Sequence, residues 1–152
     1  LESHFQMKDT SRRRLSVVLF SGDYDRVHYS LAIASAAAAI DRPVSLFLTG
    51  NGLKLILDDF EGVPGWSLLG NSENGQSALK RDQEHSKNGI CTIDATLKAC
   101  VELNVKFYRC EMGIVIAGLN KKGFRDDLPL KPGGLGTFLS EAEKDGGQII
   151  FI

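Results

Sequence analysis

Short, continuous apolar runs alternate along the chain with longer segments in which apolar residues recur at helical spacing. Leu15–Phe20, Val44–Leu48 and Gln148–Ile152 are uninterrupted runs rich in β-branched, leucine or aromatic residues. Such runs are typical of strands that are buried on both faces of a parallel sheet. A further run, Val105–Tyr108, predicts a strand that ends at Arg109-Cys110.

The segments between these runs predict helices. Tyr24–Ile40 is small and apolar on nearly every face, which is typical of a helix held between layers or against another subunit. Ile90–Asn104 carries one apolar stripe, and Met112–Leu119 is a short apolar helix directly after the third strand. The last helix shows the amphipathic spacing i, i+3, i+4 and i+7 at Leu135, Phe138, Leu139 and Ala142.

Two connections lack this periodicity. Asp58–Asn88 is polar and rich in Gly, Ser and Asn, and it predicts a long, partly mobile loop of the kind that often serves as a lid or interaction loop. Trp66 within it either anchors the loop on the body or forms an exposed interface. A short helix starts at Leu53, and residues 120–133 predict an irregular connection.

Alternation of buried strands with helices predicts an α/β sandwich whose mostly parallel sheet has four or five strands. A chain of 152 residues fits a single domain. Leu1–Gln6 lacks an apolar segment, and we interpret it as a vector-derived remnant before the natural start at Met7. We therefore expect one domain over residues 7–152.

Charge and cysteine content narrow the classes of function. With 18 Lys and Arg against 19 Asp and Glu, the net charge of −1 argues against a nucleic-acid binder or a membrane-surface binder. The chain has no run of about 20 strongly apolar residues, so no membrane span is expected. Three irregularly spaced cysteines do not make a disulfide framework and favour the reducing cytoplasm.

Ligands of open parallel sheets bind beyond the carboxyl ends of the strands. Three segments of this chain should converge there: Ser21–Asp25, Thr49–Gly52 and Arg109–Glu111. Cys110 is the strong nucleophile among them, and it lies between a strand end and a helix start, where free backbone N–H groups favour a thiolate. A buried, inert cysteine is the alternative interpretation. The predicted pocket around Cys110 is formed by Ser21, Gly22, Asp23, Tyr24, Thr49, Gly50, Asn51, Arg109, Met112 and Gly113.

Other candidate groups are weaker. Cys100 lies on an apolar helix stripe and is expected in the core, whereas Cys91 lies off that stripe. The cysteine spacing fits neither a CxxC motif nor a zinc site. His28 is expected to be packed within its helix, and His85 to be solvated in the polar loop.

Four stretches of the chain resemble the DsrE/DsrF/DsrH-like family, in its peroxiredoxin-like or sulfurtransferase branch. The first strand and helix read SVVLFSGDYDRVHYSLAIASAAAAI, and the second strand and turn, VSLFLTGNGLKLI, fit the pattern Phe-x-Thr-x-x-Gly-Leu. The third strand, VKFYRCEMGIVIAGL, is similar to the branch's strand followed by Cys, Met and Gly. The end, GGLGTFLSEAEKDGGQIIFI, is similar to its GG-x-x-x-Phe-Leu helix and terminal strand.

This resemblance implies a three-layer α/β/α sandwich and a functional Cys110. Sulfur-relay members of the family carry sulfur on this cysteine as a persulfide and often form oligomers. By that resemblance we expect a sulfurtransferase-like carrier and a homo-oligomer. Its partners would be sulfur donor and acceptor proteins or small thiols, and it would need no metal or organic cofactor.

Two other classes of function stay open on the sequence. A small-molecule or nucleotide-binding module would use the same crevice without chemistry at Cys110. An oligomeric interaction module would use the alanine-rich helix and the polar loop as an interface and would bury Cys110. A thiol peroxidase is disfavoured, because no second cysteine is placed to resolve a sulfenate.

Overall fold

The structure is a computed structural model that describes residues 12–152, so the interpretation of residues 1–6 lies outside the described part of the chain. These residues form one sheet in which every neighbouring pair of strands is parallel, in the order β4-β3-β2-β1-β5. The strands are β1 (Leu15–Leu19), β2 (Val44–Leu48), β3 (Lys106–Cys110), β4 (Leu130–Gly133) and β5 (Gln148–Phe151). The parallel α/β sheet predicted from the apolar runs is confirmed.

Helices separate the strands. The α-helices are α1 (Tyr24–Ala39), α2 (Ala78–Lys87), α3 (Ile93–Glu102), α4 (Glu111–Ile116) and α5 (Leu135–Glu143). In the described part of the chain, three short 3₁₀ helices cover Gly50–Ile56, Gly65–Leu68 and Lys144–Gly146. Within residues 12–152, none of the helices combines the length and the apolar content that crossing a bilayer requires.

Alternation along the strands divides the interior into two layers of side chains. Val17 and Leu19 of β1 belong to a large apolar core that includes α1 and α3, whereas Val18 between them belongs to a small cluster beneath α5. The strand order reverses after β4, so a right-handed crossover to β5 places α5 on the opposite face. The molecule is therefore a three-layer sandwich whose second helical layer consists largely of α5.

The fifth strand is β4, which the sequence left as an irregular connection. It contains Pro132, which cannot donate a ladder hydrogen bond. Since β4 is an edge strand that pairs on one side, proline is tolerated there.

The polar segment Asp58–Asn88 is more structured than predicted. Its second half forms α2, of which only Ala78 and Asp82 are buried, so no apolar stripe marks it. His85 lies on this helix rather than in a solvated loop. Trp66 is buried and donates from its indole Nε1 to Asp94 Oδ1 at 3.2 Å, which confirms the anchoring interpretation.

Helix α2 is joined to the body by a buried carboxylate. Asp82 Oδ1 accepts hydrogen bonds from the Tyr24 hydroxyl at 2.6 Å and from the Ile93 backbone N–H at 2.9 Å. Beside this contact, the imidazole rings of His28 and His85 lie 4.6 Å apart between their centroids. His28, like Tyr24, is packed within α1, and its Nε2 is 2.9 Å from the Cys91 carbonyl oxygen.

We predict that the protein loses stability as the pH falls through the titration of His85. Burial lowers the pKa of His85 from its ordinary value of 6.5, and the charges of His28 and Arg81 lower it further, against the opposing effect of Asp82 and Asp25. The unfolded chain therefore binds the proton more tightly than the folded chain. This stability is present above pH 6.5 and is lost as the pH falls through the lower, folded-state pKa.

Urea unfolding between pH 7.5 and 5.5 measures this effect. The His85→Gln variant should show a shallower fall in the free energy of unfolding than the wild type. Lys87→Gln, an exposed change on the same helix, should retain the wild-type slope. Equal slopes for the wild type and His85→Gln would contradict the prediction.

Candidate functional site

Cys110 joins a strand to a helix. It is the last residue of β3 and the N-cap of α4, with extended backbone angles of φ −77° and ψ 116°. The backbone N–H of Gly113 points at its sulfur and donates at 3.3 Å. The first N–H groups of a helix have no backbone acceptor within the helix, so here one of them is satisfied by sulfur. A sulfur that carries negative charge would be stabilised by the same donor.

Gly113 permits a close approach between α4 and the end of β2. A side chain at this position would collide with Thr49 Oγ1 and would lie 3.1 Å from the Gly50 nitrogen and 3.2 Å from Cys110 Cβ. The absence of a side chain thus brings the turn after β2 against the start of α4. Three of the predicted pocket residues, Thr49, Gly50 and Gly113, therefore meet Cys110 at the carboxyl ends of β2 and β3.

The thiol of Cys110 is closed off from solvent. Its residue exposure is 0%, and it belongs to the small apolar cluster beneath α5. Phe138 of α5 lies 4.4 Å from Phe47 and 6.4 Å from Tyr108 between ring centroids. Sequence reasoning missed this cover, although the apolar spacing of α5 already singled out Phe138. Any reaction at Cys110 would therefore require a movement that exposes its sulfur.

The turn after β1 forms a separate shallow pocket. A side chain at Gly22 would collide with Asn51, so the turns after β1 and β2 touch at this point. Ser21, Gly22, Asp23 and Asn51 line a pocket of about 390 Å³ together with Phe20, Arg26, Phe151 and Ile152. Cys110 is not among the residues that line it.

Three of the predicted pocket residues point elsewhere. Tyr24, the first residue of α1, is fully buried in the large core, where its hydroxyl donates to Asp82. Met112 is exposed on α4. Arg109 precedes Cys110 in the strand, and successive strand residues project to opposite faces, so its guanidinium lies on the far side of the sheet from the sulfur. There it lies over the ring of Phe124 at 5.5 Å from the centroid.

The other two cysteines differ from Cys110 in their surroundings. Cys100 is fully buried in the large core, and burial raises the pKa of its thiol to about 11. Its sulfur has the Leu31 carbonyl oxygen as a distant partner, at 4.0 Å. Cys91 is exposed before α3, and all three cysteines are free. Among residues 12–152, no group of three His, Cys, Asp or Glu side chains is arranged to hold a metal ion.

The fold and the site define the class of this protein: a small α/β protein with a parallel three-layer sandwich and a cysteine at the end of its third strand. Comparisons with known proteins identify the family. The model of the DsrE/DsrF-like family matches residues 16–150, and the chain belongs to this family. The chain is 27% identical to an uncharacterized protein, YrkE, of Bacillus subtilis, over 92% of this chain and 97% of that protein. It is 24% identical to the sulfur carrier protein DsrE2 of Allochromatium vinosum, over 77% of this chain and 86% of that protein.

We predict that Gly113→Ala destabilises the fold by about 1–3 kcal/mol, because the added methyl group overpacks the contact with Thr49. Adding Thr49→Ala removes the colliding oxygen and should recover part of this loss, giving a non-additive double-mutant cycle. Denaturant unfolding of the variants measures both effects. Gly136→Ala on helix α5 is the matched control, because a methyl group at this position would meet no other atom within 4 Å. A Gly113→Ala variant as stable as Gly136→Ala would contradict the assigned packing.

Proposed function

We propose that the protein is a sulfur carrier that holds sulfane sulfur as a persulfide on Cys110 and passes it between partner thiols. The observation that carries this proposal is the hydrogen bond from the Gly113 N–H to the Cys110 sulfur at the start of α4. Membership of the DsrE/DsrF-like family supports it, as does the similarity to a protein named as a sulfur carrier. Beyond family membership, we propose a sulfurtransferase-like exchange on this cysteine.

The proposed exchange is a pair of thiol displacement steps. After losing its proton to solvent, the Cys110 thiolate attacks the outer sulfur of a donor persulfide. The donor's S–S bond breaks, and the donor leaves as a thiolate while Cys110 becomes a persulfide. An acceptor thiolate then attacks the outer sulfur, and Cys110 is released as a thiolate. The sulfane sulfur moves intact, so the exchange needs no external oxidant, metal or organic cofactor.

Access to Cys110 depends on α5 in this proposal. Gly133 pairs directly with Cys110 across the β3–β4 ladder, and two further glycines, Gly134 and Gly136, lie at the start of α5. A side chain at Gly134 or Gly136 would meet nothing within 4 Å, and none of the three glycines has a positive φ. The conformation in the structure, with α5 over the cluster that contains Cys110, therefore does not require glycine at these positions. Glycine's backbone freedom instead suits a hinge that lets α5 move away from the thiol.

Burial of Cys110 also favours a second candidate function, an interaction module without chemistry. Such a module would keep Cys110 as an inert core residue. An exposed apolar pair, Phe20 and Phe151, stacks at 5.7 Å between ring centroids and offers contact area to a partner. For both candidate functions, we propose that the protein forms a homo-oligomer. We also propose that it resides in the reducing cytoplasm, where free cysteines persist.

Mass spectrometry of the intact protein after incubation with a small-molecule persulfide donor tests the proposal. We predict a gain of one sulfur atom, about 32 Da, that a reducing thiol removes. Cys110→Ala should abolish the gain, whereas Cys91→Ala, which removes the exposed cysteine, should retain it. A folded wild type that gains no sulfur would favour the interaction module. A gain that disappears in Cys91→Ala but remains in Cys110→Ala would show that Cys91 carries the sulfur, and it would contradict the assignment to Cys110.

A further inference from the structure

A cleft opens on the face of the sheet that points away from Cys110. It has a volume of about 580 Å³, which lies within the range of small-molecule sites. The carboxyl-terminal part of β3, the start of β4, helix α4 and the loop over residues 120–128 form its walls. Ile114, Leu128 and Leu130 supply apolar surface, and Arg109, Lys122 and Arg125 supply positive charge.

Arg109 is the unusual residue of this cleft. Its Nε is buried, and it has no hydrogen-bond partner within residues 12–152. Phe107, two residues earlier on the same face of β3, is fully buried and apolar, as this layer of side chains requires. A half-buried guanidinium normally pairs with an acceptor, because removing its N–H groups from water without one is unfavourable.

In the described part of the chain, Arg109 has no counter-ion. Arg125 is neutralised by Asp94 at 2.7 Å and by Asp127 at 2.8 Å. Glu111 also lines the cleft, but no ion pair within 4.0 Å joins it to Arg109 or Lys122 in the described part of the chain. Two cations, Arg109 and Lys122, therefore line the cleft without an ion-pair partner among residues 12–152.

The aromatic ring of Phe124 lies next to the Arg109 guanidinium. The guanidinium carbon lies 5.5 Å from the centre of the Phe124 ring, a cation–π contact that supplies no hydrogen-bond acceptor. Guanidinium N–H groups match pairs of oxygen atoms on carboxylate, phosphate or sulfate. Lys122 adds a second, flexible positive charge.

We propose that this cleft binds a small anion with two or more oxygen acceptors, held by the guanidinium of Arg109 and by Lys122. The site does not depend on the persulfide proposal, because Arg109 and Cys110 project from opposite faces of β3. A carboxylate and an oxyanion such as phosphate present the same acceptor chemistry to Arg109. The test below distinguishes these two sources.

The experiment is a titration of the ¹⁵N-labelled full chain with sodium phosphate and, separately, with sodium succinate, each at constant ionic strength. We expect at least one of the two anions to give saturable shifts of the backbone amides of Arg109 and residues 122–125. Arg109→Gln should weaken that binding by about tenfold or more, since it removes a charge-assisted pair of hydrogen bonds. Lys98→Gln, the loss of an exposed charge on α3 outside the cleft, should leave the affinity unchanged.

Saturation by phosphate alone identifies an oxyanion site, and saturation by succinate alone identifies a carboxylate site; either supports the proposal. Shifts that never saturate for either anion, or an affinity equal in the wild type and Arg109→Gln, would overturn it. Should Arg109→Gln fail to fold by circular dichroism, Arg109→Lys and Lys122→Gln provide the test. Unchanged binding in both of those variants would equally overturn the proposal.

Discussion

The alternation of side chains along β3 determines the chemistry at this end of the molecule. Because β3 is buried on both faces, consecutive residues enter different layers, and each layer has its own helical cover. Cys110 thereby enters the cluster beneath α5, and Arg109 enters the cleft near Phe124 on the other side. Two residues that are adjacent in the sequence thus belong to two separate sites. Shifting the strand by one residue would exchange the thiol and the guanidinium.

Cys110 combines the burial of a core residue with the position of a reactive one. Cys100 shows what burial alone produces: a thiol within a helix of the large core, with a raised pKa and a single distant partner. Cys110 instead ends a strand and accepts a hydrogen bond from a helix-start N–H group. The layer above it is thin, since α5 contributes just Phe138 and Ala142 to the cluster. A thin cover next to a run of glycines is easier to displace than the large core around Cys100.

Local sequence patterns predicted most strands and helices of the fold, because these elements have clear apolar runs or a clear helical spacing of apolar residues. β1 and β2 are continuous apolar runs, and the placement of Cys110 between a strand and a helix followed directly from them. Helix α2 and strand β4 were missed for physical reasons. The former buries a carboxylate instead of an apolar stripe, and the latter contains a proline that only an edge position tolerates. The face on which Arg109 lies, and the burial of Cys110 in one cluster with Phe138, depend on strand register and crossover handedness, which no local pattern contains.

The central proposal is that movement of α5 exposes the buried Cys110 thiol to exchange while the rest of the protein stays folded. Thiol labelling under native conditions tests this proposal directly. The measurement is the alkylation rate of Cys110 and Cys100 in the same molecule, followed by peptide mass spectrometry at increasing, sub-denaturing urea. The account predicts that Cys110 is labelled much faster than Cys100, at a rate nearly independent of urea, because moving α5 exposes little new surface. Labelling of both cysteines at one slow rate that rises steeply with urea would mean that Cys110 is reached only by global unfolding, and it would contradict the account.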